Sequence, residues 1–445
     1  MAADRDDALT WLSGLEFFGI KLGLDNISTL VAALGHPERT FRVIHVGGTN
    51  GKGSVTAMVD ASLRAAGLRS GRYTSPHLVD LTERFVVDGV PVSRSLLETV
   101  LGDLRSRVDA LQRAGELPNP PTFFEATTAA AFEIFRRSKV EVAVCEVGLG
   151  GRLDATNVVT PIVTAITSVG LDHQQHLGPT IADIAAEKAG IIKRGIPAVI
   201  GPLPPEAKAV VETRARERGA PIVHSMDGVV VKSAGGSSIG EPSRVLLTTP
   251  RQDYGELAIA LSGPHQIDNA IVAVRTLEAA SDALPGVSKN AIAHGLADVS
   301  WPGRMDLRRT HDGRDVLFDA AHNPDGAAAL ARALARDATW SNPPLVFAAM
   351  QDKDAAAMLR ALAGVVGPIV CTRPSNPRAT APETLVEIAE RAASGHVVVA
   401  ESDPARALAL AWQRGPRIVV SGSIFLVGEV LEALGMPCYP QKRLS

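Results

Sequence analysis

The run Phe41-Arg42-Val43-Ile44-His45-Val46 leads into Gly47-Gly48-Thr49-Asn50-Gly51-Lys52-Gly53-Ser54 and then an apolar stretch ending at Gly67, and this passage decides the fold. A β-branched run, a glycine loop and a helix start, in that order, make an anion site. Glycines let backbone N–H groups turn inward, and the helix dipole favours phosphate at that point. Lys52 can reach the β- and γ-phosphates of a nucleotide, and the hydroxyl of Ser54 can meet Mg2+. Thr49, Asn50, Gly51, Lys52, Gly53 and Ser54 are therefore the candidate nucleotide contacts. The spacing departs from GxxxxGK[ST], since Val46 stands five places before Gly51 and Gly53 separates Lys52 from Ser54. The simpler alternative is an ordinary βα turn with Ser54 as helix cap. A Gly-Lys pair between a β-run and a helix favours phosphate over it. The absence of an NKxD-like motif disfavours a guanine-nucleotide switch.

Outward from this loop, short β-branched runs alternate with Ala-rich stretches. Strands are expected at Phe41–Val46, Val140–Val147, Ile162–Ser168, Ala198–Ile200 and Ile222–His224. Helices are expected at Ser54–Ala66, Phe123–Arg137, Ile181–Lys193 and Glu206–Arg218. Such alternation implies βαβ units and a largely parallel sheet. Val229–Lys232 and Val245–Thr249, joined by a Gly/Ser loop at Gly235–Ser243, read as a small antiparallel insert. Helices near Gln266–Ala280 and Lys289–Leu296 follow, then Pro302-Gly303, which suits a hinge. A second βα series runs through Val316–Asp319, Leu345–Ala349, Pro368–Cys371, His396–Ala400 and Arg417–Ser421. The expected fold is α/β: a P-loop-type, mostly parallel domain with an antiparallel insert over 1–300, and a Rossmann-like domain over 301–445.

Composition narrows the function. The chain has 445 residues and a formal net charge of −3, a poor basis for general nucleic-acid binding. Hydrophobic residues make up 46%, which excludes a disordered chain. The cysteines, Cys145, Cys371 and Cys438, are far apart and form neither a CxxC pair nor a zinc spacing, so a reduced, cytoplasmic setting is expected. The start, MAADRDDALT, lacks an apolar signal core, and no membrane span is expected.

Other positions carry chemistry. Glu146 ends the apolar run VEVAVCEV, at the carboxyl end of a parallel strand near the phosphate loop, where a Mg2+ ligand is expected. His173, in Asp172-His173, follows a β-run and so sits on the ligand-binding edge. Lys188 falls among Ile184, Ile191 and Ile192 on one helix face and points inward. Lysine is rarely buried without a partner, and burial lowers its pKa. Thr122 and Glu125 form a capping box. Asp319, at a strand end, suits a ribose hydroxyl. His322 follows it, within reach of phosphates.

The GTNGKGS form resembles the ATP-dependent Mur ligases. Further segments narrow the resemblance to folylpolyglutamate synthase/dihydrofolate synthase: Tyr73–Leu78 (YTSPHL) with Glu83-Arg84, Thr122–Ala131, Glu146–Asn157, Leu171–Gly178 (with DHQQHLG), Glu187–Lys193, Trp301–Arg304, Phe318–Pro324 and Ser421–Glu429. These span nearly the whole chain in order. The resemblance implies that Ser75, Glu146 and His173 ligate Mg2+, and that a carbamylated Lys188 helps hold a second ion. It implies nucleotide contacts from Asn269 and Arg304. It implies that Phe124 and Asp154 contact the pterin; Arg152, in the Gly148–Arg152 turn, is taken with them as a substrate contact, and Ser423 faces the amino acid. Lys52, His173, Lys188 and His322 are then the catalytic candidates. The implied reaction joins L-glutamate to a folate, and to dihydropteroate, through an acyl phosphate made from ATP, in a monomeric enzyme. A cell-wall ligase is disfavoured because the phosphate loop arrives by residue 47, leaving no room for a UDP-binding domain. A nucleotide-gated binding module is disfavoured by the Mg2+ ligand set and Lys188.

Overall fold

The structure, a computed structural model, describes residues 3–19, 21–236 and 238–439. Eight strands form the first sheet, in spatial order Val90–Pro91, Phe85–Val87, Ser70–Tyr73, Val142–Glu146, Arg42–Gly47, Val163–Ile166, Ala198–Ile200 and Ile222–His224. The last six are mutually parallel, and the first two add an antiparallel edge. Parallel strands are covered on both faces, which is why Val43–Val46 and Val142–Val144 are near-continuous apolar runs. The register sets Val46 beside Glu146 and Gly47 beside Ile166, so the phosphate loop, Glu146 and the loop after Ile166 share one edge.

A second sheet orders Asp306–Arg309, Asp315–Asp319, Arg417–Ser421, Leu345–Phe347, Ile369–Cys371 and Val398–Ala400, all parallel but the first. The α/β class and the two mostly parallel sheets follow the sequence reading. The insert has three strands, Val230–Gly235, Ser243–Thr248 and Asp253–Ile259, not two; the third is interrupted by Gly255 in the left-handed region and shows a bulge in its pairing, which blurs its alternation. The expected Gly/Ser loop includes Ser237, which lies outside the described residues.

Several boundaries differ from expectation. The helix after the phosphate loop runs Lys52–Ala65 with Gly51 at its cap, so Ser54 lies inside the first turn and is no cap. The helix bearing Lys188 is Ile181–Ala189, ending at Gly190. The sequence reading places no element on the long helix Arg94–Arg113, although Leu97, Val100, Leu101, Leu104 and Val108 mark its buried face. Among the described residues no helix is long and apolar enough to cross a membrane.

Candidate active site

Backbone conformation shapes the loop first. Gly48 has φ +147°, and a Cβ there would lie 2.0 Å from Thr167 Oγ1. Gly51 has φ +82°, and its Cβ would lie 2.4 Å from Asn269 Oδ1. Only glycine fits either position. The neighbouring loop locks the turn: Thr49 N donates to Ser168 O at 2.8 Å, Asn50 N to Ser168 Oγ at 2.8 Å, and Thr167 Oγ1 to Asn50 O at 2.6 Å. Asn269 thus stands against the loop and turns its Nδ2 to Gln266 Oε1 at 2.9 Å.

Two ammonium groups converge on one carbonyl. Lys52 Nζ donates to Gly48 O at 3.1 Å and to Thr49 O at 3.1 Å. Lys188 Nζ donates to Gly48 O at 2.9 Å. Lys188 is 4% exposed, as its place on the helix face requires, and neither snorkels nor pairs with a carboxylate. Burial, reinforced by the Lys52 charge, lowers its pKa to about 7. Glu146 lies buried at its strand end. Burial raises its pKa, against the nearby charges of Lys52 and Arg304 and the Ser75 amide. Glu146, Ser75, Gly53, Trp301 and Arg304 line one cleft.

The second sheet contributes from across this edge. Lys353 Nζ donates to Asp172 Oδ1 at 2.5 Å and lies 3.3 Å from His173 Nε2. His322 Nε2 stands 3.7 Å from Asp172 Oδ2, and its Nδ1 is 3.0 Å from Ala320 O. Burial lowers both His173 and His322 to about 4, so both are neutral near pH 7. Asn323 donates to Asn50 Oδ1 at 3.0 Å and to Asp172 Oδ2 at 3.1 Å. Lys353 and Asn323 escape the sequence reading. Asn323 carries a local signal, being the cap before Pro324. Lys353 carries none, because its partner is far away in sequence.

Some expected residues stand elsewhere. Asp319 accepts from Met305 N at 2.9 Å and Ala321 N at 2.9 Å, so both its oxygens already hold backbone. Asp154, 4% exposed, caps its own turn, accepting from Leu149 N at 2.8 Å and Thr156 N at 3.0 Å. Ser423 is 2% exposed and caps the helix Ile424–Ala433, so its hydroxyl does not face the cleft as expected. Arg152 is an exposed partner of Glu187 at 2.8 Å and is not among the residues lining the cleft. Phe124 is half-buried, stacked on Tyr73 with ring centroids 6.1 Å apart.

The donor set fits a hard divalent cation of Mg2+ type. Among the described residues no three His, Cys, Asp or Glu side chains gather as a closed cage. One buried carboxylate, Glu146, with Ser75 on the same cleft, matches the sparse ligation Mg2+ takes when substrate oxygens complete its shell.

Known proteins carry the same layout. Residues 94–277 match the family described as Mur ligase middle domain, and residues 303–424 match Mur ligase, glutamate ligase domain. A dihydrofolate synthase/folylpolyglutamate synthase of Bacillus subtilis is 37% identical over 86% of this chain and 88% of its own. A folylpolyglutamate synthase of Lacticaseibacillus casei is 37% identical over 92% of this chain and 93% of its own. The solved Mycobacterium tuberculosis folylpolyglutamate synthase complexed with ADP superposes with TM-score 0.90 at 32% identity, covering 98% of this chain and 100% of that one.

Proposed function

The chain belongs to the folylpolyglutamate synthase/dihydrofolate synthase family of Mur ligases, and from that premise we propose that it couples L-glutamate to a folate and to dihydropteroate, through an acyl phosphate made from ATP. The observation that carries the reading is the pair of ammonium groups, Lys52 and Lys188, within about 3 Å of the Gly48 carbonyl at a helix N-terminus. Lys52 at that N-terminus calls for a polyanion, and the partly neutral Lys188 beside it suits a carbamate. Relatives solved with ADP or with an ATP analogue support nucleotide at this place. The Escherichia coli FolC structure in complex with DHPP and ADP supports dihydropteroate use.

An amide cannot form directly from a carboxylate, because hydroxide is a poor leaving group. In the proposed sequence an acceptor carboxylate oxygen attacks the γ-phosphorus and ADP leaves. The glutamate amine then attacks the acyl carbon and phosphate leaves. Lys52 and the loop amides hold the polyphosphate and spread its developing charge. Glu146, Ser54, Ser75 and His173 would hold Mg2+, which supplies charge neutralisation at the phosphate oxygens. Lys188, being partly neutral near pH 7, can add CO2 and release a proton, and the resulting carbamate would hold a second ion. Residues 1–300 bind nucleotide, and 301–445 close over it through Lys353, His322 and Asn323, excluding water from the acyl phosphate. Phe124 presents its ring to the pterin.

The test offers dihydropteroate and tetrahydrofolate separately, each with glutamate and Mg-ATP, and reads products by mass spectrometry. Mono- and polyglutamylated products, with phosphate released only when both acid and glutamate are present, are expected. Glutamylation without nucleotide consumption would refute the reading.

A further inference from the structure

The cleft beside Gly53 is a concave site, open to solvent and walled on three sides. Two of its walls come from the Thr74–Leu78 loop and the Trp301–Arg304 segment. The third comes from the far end of the chain, from Ile424 and Tyr439. The tail bearing Tyr439 is pinned to the second sheet: the Arg308 guanidinium donates to Pro437 O at 3.4 Å and to Cys438 O at 3.3 Å. From there Tyr439 reaches the first sheet. Its hydroxyl accepts from Arg72 Nη2 at 3.2 Å, and its ring centroid lies 6.0 Å from the Arg72 guanidinium carbon.

Arg72 is buried and joins three elements. Its Nη1 donates to Asp60 Oδ2 at 3.3 Å, and its guanidinium lies 5.0 Å from the Trp301 ring centroid. The Trp301 ring sits on Gly53, where a Cβ would come within 2.6 Å of it. The phosphate loop, Trp301, Arg72 and Tyr439 therefore form one continuous stack. The Trp301 Nε1–H is buried with no hydrogen-bond acceptor in the structure, on a residue that lines the cleft. A buried donor without an acceptor is a place for a ligand oxygen or nitrogen. On the proposed reading the polyphosphate takes the other flank of the loop, at Lys52, whereas this flank sets Trp301, Tyr439, Leu78 and Ile424 beside the polar Ser75, Glu146 and Arg304.

We propose that Tyr439 is a positioning residue for the acid acceptor: by holding Arg72 against Trp301, it fixes the wall that receives, next to Gly53, the planar ring nearest that acid's reacting carboxylate, while the pterin lies toward Phe124. Aromatic pairing with a planar ring rewards such a rigid wall. The inference rests on the ligase reading above. Its test compares the full-length protein with Tyr439→Ala and Tyr439→Phe. Tetrahydrofolate and dihydropteroate binding to nucleotide-free protein is measured by calorimetry, alongside KM for each substrate and the thermal midpoint. Tyr439→Ala is expected to weaken acceptor binding and raise acceptor KM about tenfold, with KM for ATP and the midpoint nearly unchanged. Tyr439→Phe keeps the ring and falls between. Unchanged acceptor affinity in Tyr439→Ala, or an equal rise in KM for ATP, overturns the proposal. A wild-type protein that neither binds nor glutamylates either acid overturns the ligase reading, and this inference with it.

Discussion

The two parallel sheets present the same kind of edge, a strand leading through a loop into a helix, yet their polar groups are in opposite states. At Arg42–Gly47 the charges are left waiting: Lys188 and Lys52 share one carbonyl, and Glu146 is buried with its pKa raised. At Asp315–Asp319 the groups are already spent. Asp319 holds two amides, Asn323 caps Gly326 N at 2.9 Å, and Lys353 is paired with Asp172 of the first sheet's edge. Uncompensated buried charge is costly and persists where a ligand supplies the missing partner. In the proposed function the first edge is the ligand grip, and the second a fitted cover.

Breaking the grip should cost most. Lys52→Ala is expected to lower kcat about 10²–10³-fold while leaving circular dichroism and the unfolding midpoint near wild type. Near-normal turnover would remove the phosphate-loop assignment.

Lys188→Met tests whether the waiting charge is a strain on the fold. The folded Lys188 titrates at about 7 against an ordinary 10.5, so in that window the unfolded chain holds a proton the folded chain has lost. Unfolding free energy therefore rises with pH there. In CO2-free buffer, wild type should gain about 2 kcal/mol from this residue between pH 7 and pH 9. Denaturant titrations of Lys188→Met should lack that gain, and parallel pH profiles for the two proteins would count against the burial argument.

On the cover side, Asn323→Ala removes a helix cap and three hydrogen bonds, two with Asn50 and one to Asp172. A loss of about 1 kcal/mol in stability is expected, with ATP hydrolysed more often per amide formed. Unchanged coupling between phosphate release and product would mean that Asn323 only caps its helix. The smallest effect belongs to Arg152→Ala, whose exposed pair with Glu187 should change stability by less than about 0.5 kcal/mol. A several-fold rise in acceptor KM for this variant would restore Arg152 to the substrate contacts.

How far each edge could be read beforehand follows the same division. Local chemistry announces the grip: glycines needing positive φ, a lysine after them, and a carboxylate ending an apolar run. Lys188 was legible as well, because helical periodicity alone turns it inward. The cover was legible only where a residue acts on its own neighbours, as Asn323 does before Pro324. Asp319 invited a ligand role by its strand end and Asp154 by the family resemblance, but backbone amides hold the oxygens of both. Nothing local marks Lys353 or Tyr439, whose partners lie in the other half of the chain.

The order of βα units, the anion-binding turn and the inward lysine were determined by the sequence itself, because backbone freedom at glycine and the periods of strand and helix are local properties. Only the tertiary structure decided which charges meet. Lys188 facing the Gly48 carbonyl, Lys353 on Asp172 and Tyr439 on Arg72 each depend on sheet register and on the approach of two separate sheets, distances that no short stretch of residues encodes.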